Sequence, residues 1–232
     1  MPRSLATRLR ERVRYGLLRQ ELADRLDRAG IYCHSYYVVQ DFAVASPDEG
    51  DQPEPGELAQ LDASQAALVA GLPCRPRPLE QVVRRMQTCA CFGVLVDGEL
   101  AGYSWAGFEV VPTVIGKGVL FELDDRGAYL FDTYVARAHR GRRLAQWLRA
   151  RVHRALVELG RDRIYSLTSA YNSGARKFKA RLGAVELEKR ITYGLRPLYV
   201  RDVRLMRIAE GALSTPDKLE VRARAGERRW KS

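Results

Sequence analysis

The segment that most constrains this chain is Tyr134-Val135-Ala136-Arg137-Ala138-His139-Arg140-Gly141-Arg142-Arg143-Leu144-Ala145. A short apolar strand runs into a compact basic turn, and an amphipathic helix starts at once. The first N–H groups of a helix have no internal partner and carry partial positive charge. The turn therefore gathers backbone donors and a helix N-terminus into one small space suited to an anion. A phosphate-bearing cofactor is the anion this layout favours.

The flanking pattern gives the fold class. The helix expected over 141–159 lines Leu144, Leu148, Val152, Leu156 and Leu159 along one face, leaves Arg149, Arg151 and Arg154 outside that stripe, and stops at Gly160. Upstream, Phe92–Val96 and Glu99–Phe108 flank Asp97-Gly98, a two-residue hairpin turn whose members both tolerate positive φ. Val119–Leu123 and Ala128–Val135 read as another antiparallel pair joined by Asp124-Asp125-Arg126-Gly127. Downstream come a strand at Ile164–Ser169, a helix at Ser173–Leu182 closed by Gly183, and an alternating strand from Val185 to Leu195. Toward the N-terminus the pattern predicts a helix over 4–29, a strand over Ile31–Phe42, an acidic Pro/Gly loop over Ser46–Glu57, and helices over 58–71 and 78–88. From about Arg201 the chain becomes basic and less regular. The order predicts an α/β fold with a mixed, mostly antiparallel central sheet flanked by helices. Three segments are expected: an N-terminal amphipathic helix (1–30), the main domain (31–200) and a basic C-terminal extension (201–232).

Composition limits the function classes. Hydrophobic residues make up 46% of the 232 residues, enough for a real core, and no apolar run approaches the ~20 residues of a transmembrane helix. Basic residues at the N-terminus are not followed by a signal-peptide apolar region, so a cytoplasmic protein is expected. The net charge of +11 favours anionic partners, although many charges sit beside acids, as in Arg10-Glu11, and read as solvated faces. Cys33, Cys74, Cys89 and Cys91 are too few and too irregular for a disulfide framework. Cys89-Ala90-Cys91 lacks the second pair that a structural zinc site needs, and His34, His139 and His153 add no ligand spacing. No metal is expected. Tyr36, Tyr37, Tyr103, Trp105 and Phe108 read first as strand core, and second as the lining of an acceptor groove.

The turn resembles the acetyl-CoA-binding motif of the GNAT N-acetyltransferases, a strand ending in Val followed by Arg/Gln-x-x-Gly-x-Gly/Ala opening a helix. Arg140, Gly141, Arg142, Leu144 and Ala145 fit it, while Arg143 stands where the family has its central Gly. A residue at a helix start need not take positive φ, so an Arg is expected to serve there. A second stretch, Asn172 to Ala184, resembles the family's Asn-x-x-Ala-x-x-Leu-Tyr-x-Lys-x-Gly-Phe through Asn172, Ala175, Phe178, Arg181 and Gly183. Order matches the family from about residue 31 to 195.

The resemblance implies an N-acyltransferase that uses acetyl-CoA or another acyl-CoA as co-substrate, with direct attack of an amine in a ternary complex. Residues 58–71 and 78–88 would be the helices that flank the acceptor groove. The donor would lie on Tyr134, Val135, Ala136, Arg140, Gly141, Arg142, Arg143, Leu144 and Ala145, with Asn172 and Arg176 toward its pantetheine arm. Asp132, or Glu122 on a neighbouring strand, would relay the amine's proton, or Asp132 would merely hydrogen-bond at a strand irregularity. Lys179 falls where the family carries the Tyr that protonates the departing thiolate; its other reading is a solvated helix residue. Two alternatives stay open: a long-chain acyl-CoA or acyl-carrier-protein donor, and a non-catalytic module that binds nucleic acid or protein through the basic surface. Nucleic acid is the weaker partner, because no spaced stacking aromatics or recognition-helix motif accompany the charge. The acceptor amine is not identified. The N-terminal helix is assigned to packing on the domain, to a homodimer contact or to a lid.

Overall fold

A computed structural model describes residues 17–42, 56–72, 75–116, 118–140, 143–196, 198–209 and 218–220. The start of the expected first helix, the acidic loop and most of the C-terminal extension lie outside the described residues. The chain forms two compact units. One is drawn from residues 1–41, 110–122 and 165–232, the other from 42–109 and 123–164. Each combines mostly antiparallel strands with helices, in keeping with the α/β class expected.

The second unit carries the strand–turn–helix segment. Its strands are β2 (Glu57–Leu61), β3 (Cys89–Val96), β4 (Glu99–Gly107) and β7 (Gly127–Val135), hydrogen-bonded in the order β7-β4-β3-β2. Asp97 and Gly98 take φ of 51° and 80° and close the β3–β4 hairpin, as the Asp-Gly pair predicts. The sheet buries both faces. Leu144, Leu148, Val152 and Leu156 of α4 (Leu144–Glu158) pack with Phe92, Val94, Ala101, Ala106 and Leu130. The opposite cluster joins Cys91, Tyr103 and Trp105 to Ala66 and Val69 of α2 (Ala66–Ala70) and Val82 of α3 (Leu79–Met86). Alternate side chains of β3 and β4 thus face different helices, as the period-2 geometry of strands requires.

Three expectations are corrected here. Residues 58–71 are not one helix: β2 pairs with β3, and a short helical stretch starts only after Asp62, whose side chain accepts the Ser64 N–H at 2.8 Å. The segment Val119–Glu122 (β6) does not pair with β7. It pairs with Val110–Pro112 (β5) as a separate two-stranded ribbon, while β7 joins β4. Arg149 lies inside the buried face of α4 together with His153.

In the first unit α1 (Leu17–Arg28) leads through Gly30, at φ 83°, into β1 (Ile31–Asp41). The strand order is β11-β10-β9-β1-β8, with β8 at Arg163–Ser169 and β9 at Val185–Leu195. The residues after Arg201, expected to be irregular, continue this sheet as β10 (Tyr199–Arg207) and β11 (Lys218–Glu220). Charge inside the sheet disguises β10. Asp202 and Arg190 are both fully buried, and Arg190 Nε donates to Asp202 Oδ1 at 2.6 Å. Tyr36 donates to Asp202 Oδ2 at 2.7 Å, and Thr192 donates to the same oxygen. Burial, and then Asp202, pushes the Tyr36 phenol above its usual range, so it stays a neutral donor.

Removing one member of a buried pair strands the other's charge, at a cost of about 3 kcal/mol or more. Asp202→Ala should lower the unfolding free energy by ~3 kcal/mol, measured by urea denaturation. A change below ~1 kcal/mol would mean that the network contributes little to the fold.

Candidate functional site

β7 is bulged. Tyr103 faces Tyr134 and Trp105 faces Phe131, so Asp132 and Thr133 both oppose Ser104. Two residues against one bends a strand and re-aims a side chain. Asp132 takes φ 52° here, a left-handed conformation that Asp tolerates better than most residues. Ser104 Oγ and Thr133 Oγ1, 2.8 Å apart, brace the irregularity.

The bulge delivers the Asp132 carboxylate, 1% exposed, to three arginines. Arg77 Nη2 donates to Oδ2 at 2.6 Å and Arg85 Nη1 to the same oxygen at 2.8 Å. Arg75 Nη2 lies 2.8 Å from Oδ1 as an ion pair. Aromatic rings line the cluster: Arg85 sits 5.0 Å from the Trp105 ring centre and 5.5 Å from that of Phe131. Arg75 and Arg140 sit 5.7 Å and 5.5 Å from the Tyr134 ring. Burial pulls Arg85 below the ordinary guanidinium range while Asp132 opposes that shift. Burial, then the charge of Asp132, pushes the Cys91 thiol up to about 12, so Cys91 is an inert core thiol.

Beyond β7 the chain runs through a 3-10 turn at Arg137–His139. Ala136 N donates to Ala101 O at 2.7 Å, and Arg140 Nε to Val135 O at 3.0 Å, which pins the turn to the strand. Gly141 and Arg142 lie outside the described residues. The helix starts at Leu144 rather than 141. Arg143 is its N-cap at φ 58°, with no side-chain cap bond. The expectation that this residue does without positive φ is thus corrected. The chain keeps the backbone conformation that a Gly would adopt freely, and a non-Gly residue holds it at a cost of about 1–2 kcal/mol.

The structure therefore gathers Asp132, Tyr134, Val135, Ala136, Arg140, Arg143, Leu144 and Ala145 along one strand, turn and helix start. The other expected site residues belong to the first unit. Glu122 is exposed at the end of β6. Asn172 caps α5 (Ser173–Arg181), its Oδ1 accepting the Ala175 N–H at 3.0 Å. Arg176 forks onto Glu186 at 2.6 and 2.9 Å and stacks 4.0 Å from the Tyr37 ring. Lys179 is buried, not solvated. Its Nζ donates to Ser166 Oγ at 2.7 Å and Thr168 Oγ1 at 2.5 Å, and Ser166 passes a hydrogen bond to Asp41 Oδ2 at 2.7 Å. Tyr36, Tyr37, Tyr103 and Trp105 are all core residues.

Sequence reasoning did not single out Arg75, Arg77 and Arg85. One signal was present: Arg85 falls three residues after Val82 on the buried stripe of α3, where a solvated Arg does not belong. Among the described residues, no group of three or more His, Cys, Asp or Glu is placed to hold a metal ion, and no helix is long and apolar enough to cross a membrane.

A family model described as the acetyltransferase (GNAT) family matches residues 61–184, more than half of the chain. The chain belongs to the GNAT acetyltransferase family. No curated protein sequence matches it significantly. Among solved structures, it is similar to a GNAT-family protein from Novosphingobium aromaticivorans, with a TM-score of 0.49, 17% identity, and 68% of this chain and 63% of that one covered. It is also similar to a ribosomal-protein-alanine N-acetyltransferase from Brucella melitensis, with a TM-score of 0.42, 18% identity and coverage of 55% and 90%. An aminoglycoside N-acetyltransferase in complex with CoA gives a TM-score of 0.42, 22% identity and coverage of 55% and 90%. The chain spans less than two thirds of the length of the Novosphingobium protein.

In this GNAT chain two substitutions probe the site's construction. Asp132→Asn should destabilise by about 3 kcal/mol, because Arg77 and Arg85 lose their buried counter-charge; an unchanged denaturation midpoint would contradict the anchoring role. Arg143→Gly should stabilise by roughly 0.5–1 kcal/mol, the left-handed penalty less the entropy of an added Gly. A destabilised Arg143→Gly protein would show that the Arg side chain outweighs its backbone cost.

Proposed function

We propose that this protein transfers an acyl group, acetyl in the simplest case, from acyl-CoA to an amine by direct attack. The observation that carries the reading is the β7–turn–α4 segment: a bulged strand, a pinned turn and a helix whose N-cap holds a glycine-like left-handed conformation despite being Arg. The bulge at Asp132 and Thr133 interrupts the β7–β4 ladder just before Tyr134, and an irregular strand there suits the amides of a pantetheine arm. The first N–H groups of α4, with Arg140 and Arg143 beside them, suit the pyrophosphate.

The chemistry follows from that seating. A β7 N–H directed at the thioester carbonyl stabilises the negative charge that develops on its oxygen. The acceptor attacks as the neutral amine, the C–N bond forms, the C–S bond breaks, and the CoA thiolate leaves. The amine's proton passes to solvent, and solvent protonates the thiolate. Asp132 acts as an anchor in this reading, because Oδ2 accepts from Arg77 and Arg85 while Oδ1 is ion-paired with Arg75. Lys179 is likewise structural, tying α5 to the hydroxyls of β8.

A thermal-shift titration with acetyl-CoA, a long-chain acyl-CoA and 3′-dephospho-CoA tests the donor. A ligand that binds only the folded state should add ~2.7 kcal/mol at about a hundredfold excess over Kd. Acetyl-CoA is expected to give a saturable rise that survives added salt. A rise with the long-chain donor alone would replace acetyl by a fatty acyl group, and no rise with any of them would overturn the proposal.

A further inference from the structure

One end of the first unit turns apolar side chains toward solvent beside arginines. Ile31, Leu195 and Tyr199 are partners across β1, β9 and β10, so their side chains leave one face of the sheet as a single row. They are 41%, 40% and 49% exposed, while Tyr32 and Val200, the next residues on the opposite face, are buried. The connection from β9 to β10 carries Leu198, which at 72% is the most exposed large apolar side chain among the described residues. The turn from α1 into β1 lies against this connection. Arg196 N donates to Gly30 O at 2.9 Å, and a Cβ on Gly30 would meet Arg196 Cβ at 3.2 Å. Tyr193, in the next row, meets the Tyr199 ring edge-on with centres 6.4 Å apart, and Arg201 sits 5.7 Å from the Tyr199 ring. Two segments distant in sequence thus build one surface.

Charge accompanies the apolar row. Residues 25–31 and 194–201 hold four arginines, Arg25, Arg28, Arg196 and Arg201, and the first three are exposed. Against them stand Asp27, 2.7 Å from His34 Nε2, and Glu220, opposite Arg201 on β11. Four cations against two carboxylates leave this end positive, in a chain of net charge +11. An exposed apolar patch with a polar rim marks a surface that binds something, and the chemistry selects among partners. Aliphatic side chains gain little from the phosphates and sugars of nucleic acid, and one exposed Tyr is not a stacking platform. A second copy would bring arginine against arginine. An anionic bilayer suits both parts: leucine and isoleucine enter the acyl boundary, tyrosine sits at headgroup level, and arginine reaches back to phosphate.

We infer that this end of the first unit binds an anionic lipid surface, with Ile31, Leu195, Leu198 and Tyr199 entering the interface and Arg25 and Arg196 on headgroup phosphates. The contact is peripheral and reversible, because a few apolar side chains and a few cations act together without a spanning segment. It uses a surface apart from the β7–turn–α4 segment and does not rest on the acyl-transfer reading.

Flotation of the full chain with lipid vesicles tests it. Vesicles of phosphatidylcholine and phosphatidylserine in equal parts should capture the protein about tenfold better than phosphatidylcholine alone, and added salt should weaken the capture. Leu198→Glu should cut capture by about tenfold, and Arg25→Gln with Arg196→Gln should remove most of its salt dependence. These side chains are exposed, so circular dichroism and the denaturation midpoint should stay unchanged. Leu198→Trp should gain a blue-shifted emission, relative to the unmodified chain, only when the mixed vesicles are added. No capture, or equal capture by both vesicle types, would overturn the inference. So would capture that Leu198→Glu leaves intact, since the contact would then lie elsewhere. A dimer in light scattering without lipid, dissociated by Leu198→Glu, would give the patch to a second copy instead. Retention on a single-stranded oligonucleotide that Leu198→Glu abolishes would give it to nucleic acid.

Discussion

The second unit depends on the carboxylate of Asp132. It sits where β7 takes an extra residue, and the bulge turns it toward Arg75, Arg77 and Arg85. An isolated buried charge is costly, and so is an unmatched guanidinium. Each makes the other tolerable, and together they fix the loop before α3 and Arg85 of α3 against the strand. After the bulge β7 resumes pairing with β4 at Tyr134 and Val135, shortly before the turn that leads to α4. Strand irregularity, arginine cluster and helix start are thus parts of one construction.

Positive φ marks both ends of that construction. Asp132 at 52° and Arg143 at 58° are two of the three non-glycine residues with positive φ among the described residues. Such conformations cost about 1–3 kcal/mol each and persist where surrounding contacts determine them. At Asp132 the determining contacts are the arginines. At Arg143 the following helix contributes, since the Arg143 carbonyl accepts from Gln146 N at 2.9 Å and Trp147 N at 3.0 Å while Leu144 is buried in the core. The Arg at the motif glycine's place thus holds, at a backbone cost, a conformation that a glycine adopts freely.

Much of this was legible in the sequence, because the informative signals were local. The Asp-Gly turn, the leucine stripe of α4, the span of β9 and the stop of α5 at Gly183 each arise within a few residues. What was missed is non-local or charged. The Asp132 partners lie 47 and 55 residues away for Arg85 and Arg77, and no spacing rule reaches that far. β10 carries Asp202 inside the sheet, where its charge breaks the polar–apolar alternation and is satisfied by Arg190, Thr192 and Tyr36 from other strands. The short strands β2 and β5 carry too few residues to show a period. Lys179 reads as a helix-surface residue until the Ser166, Thr168 and Asp41 side chains are seen around it.

The central claim is that acyl-CoA lies along β7 and on the start of α4. Amide hydrogen exchange, compared with and without acetyl-CoA, tests it residue by residue, since a bound donor should shield the backbone groups it covers. The account predicts slowed exchange at Tyr134–Ala136 and at Leu144–Trp147. Protection confined to other segments, with these amides unchanged at saturating acetyl-CoA, would contradict it.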